Sequence, residues 1–532
     1  MGYIFEELIR KFSENAEAGD HYTGRDIIKL MVNILLAEGC DDIFDDGKVI
    51  TILDQACGTG GMLSTGYNFI KRYNPSADVR LFGQEINPES YAMCLAEMLI
   101  KGQNAENICY QDTMKADRFK GTKMRFVLEN PPFGTAWGGK DAAEGVEDAV
   151  NTEYQKGFDG RWGAGLPGSG DMQMLFLQSA IDKMDDNFGR AAIVENGSPM
   201  FNGQTASGES QIRRWMLESD LIEAIIALPT DLFYNTGIAT YIWVLSKNKR
   251  PERKGKIQLI DASTFFKKLR KALGDKKNEI SPEDRSAVTK LYADFAENEY
   301  CKIYRNEEFI YREYTVMQPL QRSYAITEER IQVMVSKGAL DSLYNEVKFA
   351  DLELMEDRDG KAQKQLNKFF VGKPIYDAIL ADLNHAISDT VWMSPDAFMP
   401  HLTEVLSKAT TDKKLLEKIA DGLSVMDKNA EIQRDRKGNV VYDKETKDTE
   451  LVKWEESIED YMAREVLPHI PDAAAFFEEN LGAKKPVIKT GAEIPFTRYF
   501  YKYQQPIASE ELEAKFSELE LSVSERVAQL FE

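Results

Sequence analysis

Cysteine is scarce in this chain: five residues (Cys40, Cys57, Cys94, Cys109, Cys301), none in a C-x-x-C pair. With only four histidines as well, neither a disulfide scaffold nor a zinc site is expected, and unpaired thiols suit a reducing cytoplasm. Long hydrophobic runs are missing too. No stretch approaches the roughly 20 apolar residues that span a bilayer, and residues 1–12 are too charged for a signal peptide. Neither a membrane protein nor a secreted one is expected. Positive charge is in deficit: 66 Lys and Arg face 88 Asp and Glu, a balance of −22. A chain this acidic is poorly suited to hold duplex nucleic acid unaided. What remains is a globular composition, 43% apolar over 532 residues, long enough for more than one domain with its own core. No repeat of solenoid period is present.

The chemistry is concentrated in the first third. Val49-Ile50-Thr51-Ile52-Leu53 reads as a buried strand, followed by Asp54-Gln55-Ala56-Cys57-Gly58-Thr59-Gly60-Gly61 and a helix over 62–72. Strand, glycine-rich turn and helix open a doubly wound sheet, whose ligands lie beyond the carboxyl ends of the strands. The glycines let backbone approach a bound nucleoside, although Gly58-x-Gly60 is not the dinucleotide form G-x-G-x-x-G. A second strand, 79–83, ends in Gln84-Glu85, where an acid is placed to bond ribose hydroxyls. A third, 107–110, delivers Asp112. A fourth, Phe126-Val127-Leu128, runs into Asn130-Pro131-Pro132-Phe133. Proline fixes φ and removes its N–H, so the carbonyls here are rigid acceptors. Together with the Asn130 side chain they suit an exocyclic amine such as adenine N6, with Phe133 available to stack on the base. Alone, this segment is equally a Pro-Pro turn closing a strand; four successive strand ends carrying polar groups make a site. Cys57 fits best as a small buried hydrophobe.

In this order the four segments resemble S-adenosylmethionine-dependent DNA adenine-N6 methyltransferases. More narrowly, the chain resembles the modification subunit of type I restriction-modification systems. Gly19-Asp20-His21-Tyr22-Thr23-Gly24-Arg25 is similar to the family's G-x-x-Y-T-P-R segment, residues 190–201 and 221–245 (with Asn235-Thr236-Gly237-Ile238-Ala239-Thr240) to its later strands, and Arg464-Glu465-Val466-Leu467-Pro468 with residues 495–503 to its tail. The resemblance implies an α/β, Rossmann-like class I methyltransferase with a mostly parallel, mixed seven-stranded sheet, plus a mainly helical C-terminal region. Residues 1–45 would be a helical lead carrying the Tyr-Thr segment, 46–280 the methyltransferase domain, and 281–532 the C-terminal region. The cofactor would be S-adenosylmethionine, held by Tyr22, Thr23, Asp54, Ala56, Gly58, Thr59, Gly60, Gly61, Glu85, Asp112 and Asn130. Asn130, Pro131, Pro132 and Phe133 would act on the adenine, without a metal. Three residues depart from the family pattern: Gln55 and Gly24 replace prolines, and Glu129 replaces a small residue, adding negative charge beside the target pocket. The family's helical domain ahead of residues 2–12 is missing, which implies weaker DNA clamping or a late start.

The acidity is consistent with partners that bring the DNA: a specificity subunit, with two modification subunits per complex, and a restriction nuclease subunit in some systems. Residues 247–277 nevertheless hold twelve Lys and Arg against three acids, fitting either a solvated surface or phosphate contact. Residues 134–170 hold ten glycines and few apolar groups, expected as a mobile loop that orders over DNA or as an exposed insertion. Residues 240–245 and 256–260 read as strands at the domain's edge, and Lys437-Gly438-Asn439 as a hairpin turn. Tyr499, Tyr501 and Tyr503 fit a strand or an aromatic patch. Leu512, Phe516, Leu519, Val523, Val527 and Leu530 form an apolar stripe on a final acidic helix, packed on its own domain or docked on the specificity subunit. Two other functions fit the same motifs: methylation of RNA or of a protein glutamine amide, and a non-catalytic cofactor-binding scaffold.

Overall fold

A computed structural model describes residues 23–234, 236–355, 360–501 and 509–529. Tyr22 and the helix expected before it, Asn235, Tyr503 and Leu530 lie outside the described residues. The first elements follow the expected order: α1 (Arg25–Ala37), β1 (Val49–Asp54), α2 (Gly61–Tyr73), β2 (Asp78–Glu85), α3 (Pro88–Ile100), β3 (Ile108–Tyr110) and β4 (Phe126–Glu129). Next come α4 (Val146–Tyr154), α5 (Gln173–Lys183), β5 (Arg190–Asn196), α6 (Gly208–Glu218), β6 (Ile222–Ala227), β7 (Thr240–Ser246) and β8 (Lys256–Asp261). The hairpin β9 (Lys267–Leu273) and β10 (Lys276–Glu279), α7 (Pro282–Asp294) and β11 (Cys301–Arg305) complete the series.

These strands form one mixed sheet in the order β11-β8-β6-β7-β5-β4-β1-β2-β3, with the β9–β10 hairpin separate. The sheet has nine strands, not the expected seven, because β8 and β11 extend it past β6. β7 is also not at an edge: it lies antiparallel between β5 and β6, and its seven residues are all buried. Side chains alternate between two cores, as the two-residue strand period requires. On β5, Ala192 and Val194 join the core made with α1, α2 and α7, whereas Ala191 and Ile193 join the core made with α5 and α6. β1 sits between β2 and β4, so the chain leaves it to both sides; this switch point opens a crevice at the carboxyl ends of the strands.

The chain divides into two compact units, one of residues 1–312, 453–455 and 479–532, the other of residues 313–452 and 456–478. The expected break after residue 280 falls inside the first unit, because β11 pairs with β8 across five registers. The second unit is cored by helices, among them Gly360–His385, Pro395–Val405 and Lys413–Gly422, which bury Leu383, Phe398, Leu402 and Ile419; short strand pairs accompany them. Its turn at Lys437-Gly438 forms as expected, with Gly438 at φ +84° between the bridged Arg434 and Val440.

Residues 134–170 are not the loose loop the glycines implied. Trp137, Val146, Val150 and Trp162 pack with Met172, Leu175 and Phe176 into a small core of their own, a few large side chains sufficing where apolar residues are few. Tyr499 lies on a short helix (Phe496–Phe500) rather than a strand, its ring 4.3 Å from that of Tyr304. On the final helix (Ser509–Gln529), Leu512, Phe516, Leu519 and Val523 are all exposed. No helix among the described residues is long and apolar enough to cross a membrane.

Candidate active site at the carboxyl ends of the strands

The turn after β1 is held by a run of hydrogen bonds, one for each successive backbone N–H. Gln55 donates to Glu129 Oε1 (3.4 Å), Ala56 to Asp54 Oδ1 (3.0 Å), Cys57 to the Gln84 carbonyl (3.0 Å) and Gly58 to Glu85 Oε2 (2.7 Å). Buried N–H groups need such partners, and here the ends of three strands, β1, β2 and β4, supply them. Gly60 closes the turn at φ +80°, and a Cβ there would lie 2.7 Å from Cys94 Sγ and Met98 Cε. Thr113, which the sequence reading passed over, ties three strand ends: its hydroxyl donates to the Gln55 carbonyl (2.5 Å) and accepts from Gln84 Nε2 (3.2 Å). Glu85 also accepts from Asn87 N–H (2.7 Å), and Asp112 from Met114 N–H (2.8 Å).

These groups surround a cavity of about 340 Å³, large enough for a nucleoside-sized ligand. Of the expected cofactor residues, Thr23, Asp54, Ala56, Gly58, Thr59, Gly61, Glu85, Asp112 and Asn130 line it; Gly60 shapes the turn behind it, and Tyr22 lies outside the described residues. Pro132 lines it as well, but Pro131 and Phe133 do not. Phe133 is buried, edge-on to Phe233 with centroids 6.5 Å apart, because the adjoining apolar core accepts its ring. Two other aromatic residues line the wall instead: Phe176 of α5 and Tyr234 from the loop after β6. Asn130 Nδ2 donates to Thr23 Oγ1 at 2.8 Å, which fixes the amide and turns its oxygen away from Thr23. Thus the two most separated motifs, Tyr22-Thr23 and Asn130–Phe133, meet at one side chain.

The site is acidic. Burial pushes Asp54 up to about 8, helped by the nearby Glu85 charge and opposed by the Ala56 N–H. Burial also raises Glu129 well above the carboxylate range, with Asp54 adding to the shift, and raises Glu195 with Asp171 and Glu129 adding to it. Burial thus works against the negative charge that Glu129 was expected to bring beside the target motif, and no cation pairs with it among the described residues. Cys57 is buried as expected, its thiol raised by a hydrogen bond with Cys94 and by burial. Among the described residues no cluster of side chains suits a metal.

The sequence profile of the N-6 DNA Methylase family matches residues 1–330. The chain belongs to that family. Among curated relatives, the HindI methylase subunit of a type I restriction enzyme from Haemophilus influenzae is 30% identical over 267 residues, 49% of this chain and 54% of the relative. The MjaVIII methylase subunit of a type I restriction enzyme from Methanocaldococcus jannaschii is 29% identical over 358 residues, 65% of this chain and 57% of the relative. A crystal structure of a type I restriction-modification methyltransferase subunit from Streptococcus thermophilus is 26% identical, covers 57% of this chain and 60% of its own, and has a TM-score of 0.47. The chain spans about half the length of the curated relatives it matches. The resemblance to type I methylase subunits is therefore borne out.

Within this N-6 DNA methylase the departures from family pattern gain a physical meaning. Gln55 and Glu129 meet: the N–H that a proline at 55 would lack is the one Glu129 accepts. The parallel register Ile52↔Phe126 and Leu53↔Val127 carries the two residues opposite each other just past the strand ends. Neither motif read alone reveals this pairing; only the sheet order does. Thr113, Glu195 and Tyr234 were missed for a related reason: Glu195 and Tyr234 lie within segments matched to the family and Thr113 follows Asp112, but no local pattern marks any of the three as part of the site.

Proposed function

We propose that this chain transfers the methyl group of S-adenosylmethionine to the N6 amine of an adenine turned out of duplex DNA, as the modification subunit of a type I restriction-modification complex. The observation that carries it is the Asn130 amide, held by Thr23 on the wall of a cavity rimmed by Asp54, Glu85 and Asp112. The cavity suits the cofactor. The Gly58–Gly61 turn admits it closely, Glu85 and Asp112 offer acceptors for its hydroxyl and amine groups, and Asp54, buried without a cation, offers a carboxylate to its positive charges. Once bound, that cofactor supplies an electrophilic methyl group.

The protein's own contribution is acceptance and alignment. Adenine's amine is a weak nucleophile because its lone pair is delocalised into the ring. Asn130 Oδ1 accepts a hydrogen bond from the amine, and the Pro131 carbonyl, which lies off the cavity wall, accepts the second only once the extruded base reaches it; the two bonds localise the lone pair. Extruding the base costs a few kcal/mol. Tyr234 already faces the cavity and can receive the base's flat side, whereas Phe133 must leave its contact with Phe233 to do so. Partners fit the acidity and the exposed final stripe: a specificity subunit that selects the site, with Leu512, Phe516, Leu519 and Val523 as its docking face, two modification subunits per complex, and a nuclease subunit where restriction is present. The setting is the cytoplasm.

The test is transfer of labelled methyl to DNA lacking adenine methylation, with and without the co-expressed specificity subunit. Label on adenine N6 only with the partner supports the reading. Label on RNA or on protein glutamine instead replaces it, and bound cofactor without transfer to any substrate leaves a scaffold.

A further inference from the structure

Several cations of the basic stretch 247–277 are spent on internal pairs. Lys249 binds Asp220 (2.6 Å), Arg253 binds Glu38 (2.6 Å) and Lys276 binds Asp26 (3.0 Å), all three cations buried; Lys247 pairs with Asp186 (2.6 Å). The hairpin β9–β10 differs. Lys267, Lys268, Arg270 and Lys271 are exposed on β9, whose only strand partner is β10. Lys267 pairs with Glu283 at 2.9 Å, while Lys268, Arg270 and Lys271 have no ion-pair partner among the described residues.

The hairpin is fastened to the loop that carries Tyr234 onto the cavity wall. Asp275 N–H donates to the Tyr234 carbonyl (2.8 Å), Lys277 N–H to the Asp231 carbonyl (2.9 Å) and Asn278 Nδ2 to the Thr230 carbonyl (2.9 Å). Lys276 Nζ reaches both the Leu232 carbonyl (2.9 Å) and Asp26 on α1, next to Arg25 of the cavity wall. At the tip, Gly274 has φ +62°, and any Cβ would lie 2.3 Å from the Tyr234 carbonyl oxygen. The contact therefore requires glycine, and it sets the cationic strand beside the mouth of the site.

We propose that β9 grips the phosphate backbone of the nucleic acid substrate, with Lys268, Arg270 and Lys271 each meeting a phosphate next to the extruded base. The proposal rests on the nucleic-acid reading above. In a chain of net charge −22, cations left unpaired at the rim concentrate attraction where the substrate enters. Such contacts position the duplex and carry no sequence information, which leaves site selection to a partner.

The experiment measures anisotropy of a fluorescein-labelled, mixed-sequence 30-base-pair duplex, and of a single-stranded RNA of the same length, against the full chain in complex with its co-expressed specificity subunit, between 50 and 200 mM salt. The triple variant Lys268→Glu, Arg270→Glu, Lys271→Glu should bind the duplex more weakly, with a salt slope shallower by about 2 to 3, at unchanged S-adenosylmethionine affinity. The triple glutamine variant, which adds no negative charge, should show the same change in slope. Unchanged duplex binding and slope in both variants would overturn the proposal and reduce the cations to guards of an exposed strand edge. So would wild-type protein that binds neither nucleic acid at 50 mM salt. RNA bound in place of DNA, with the slope change intact, would uphold the grip and sink the DNA reading.

Discussion

The two ends of the central sheet treat buried charge in opposite ways. At the amino end, Arg190 opens β5 and binds Glu223 on β6 (2.9 and 3.2 Å) and the Tyr292 hydroxyl of α7 (2.6 Å), and that hydroxyl in turn donates to Glu223. Burial alone would raise Glu223; the Arg190 charge and the bonds from Tyr292 and Arg190 outweigh it and hold the carboxylate below its usual range. At the carboxyl end, Asp54, Glu129 and Glu195 are equally buried with no cation against them among the described residues, and burial raises all three. Neither Glu195 oxygen nor Glu129 Oε2 has a partner among the described residues. At the amino end the opposite charges compensate each other and serve stability, although Arg190 Nε has no partner among the described residues; at the carboxyl end the carboxyls lack such compensation where a cationic ligand and a base are proposed to bind.

The largest effect should come from breaking the satisfied end. Arg190→Ala strands Glu223 in the core and should cost about 3 to 5 kcal/mol of unfolding free energy, read by urea denaturation, whereas Glu195→Gln at the other end should shift it by less than about 1 kcal/mol. Removing the acceptor that the site depends on should have the converse profile. Asn130→Ala should lower methyl transfer by about 10² to 10³, on the scale of losing one preorganised hydrogen-bonding group, at nearly unchanged melting temperature.

A smaller coupling should join the cofactor turn to the target motif. Gln55→Pro removes the donor to Glu129, and Glu129→Ser shortens the acceptor for Gln55. The double variant should bind cofactor better than the two single losses combined, by about 0.5 to 3 kcal/mol in a calorimetric double-mutant cycle; strict additivity would show that the two departures are unrelated.

The smallest effect is one of pH, and its sign separates the ends. Asp54, Glu129 and Glu195 are raised in the folded state, so they favour folding at low pH and lose that contribution as pH climbs above the ordinary carboxylate range, for Asp54 toward about 8. Glu223 is depressed, so its contribution holds above the ordinary carboxylate range and is lost as pH falls through its own lowered value. Thermal melts of the unliganded protein should therefore decline from pH 5 to 8, and Asp54→Asn should flatten the decline.

Much of the site was legible because each of its motifs is local: a β-branched run, a glycine-rich turn, an acid at a strand end, an Asn ahead of two prolines. Their convergence followed from one rule, that parallel strands present their carboxyl ends together. What stayed hidden depends on neighbours distant in sequence. Glu129 was expected to add negative charge, yet burial, which sequence does not display, disfavours its charged form. Phe133 looked like an exposed platform because its motif is a surface turn; the core around Phe233 takes its ring instead. Residues 134–170 looked unstructured by glycine content, yet Trp137 and Trp162 suffice to fold them. Of the two extra strands, residues 256–260 were read as a strand and form β8, whereas β11 escaped notice because it alternates only weakly between buried and exposed positions.

The central claim is that the carboxyl end performs amine methylation through Asn130. It is tested most directly by nucleoside mass spectrometry of DNA from cells without other adenine methylation, co-expressing the specificity subunit with either wild-type chain or Asn130→Ala. N6-methyladenine in the first and none in the second is the predicted result. The same N6-methyladenine content in both, or 5-methylcytosine in its place, would contradict it.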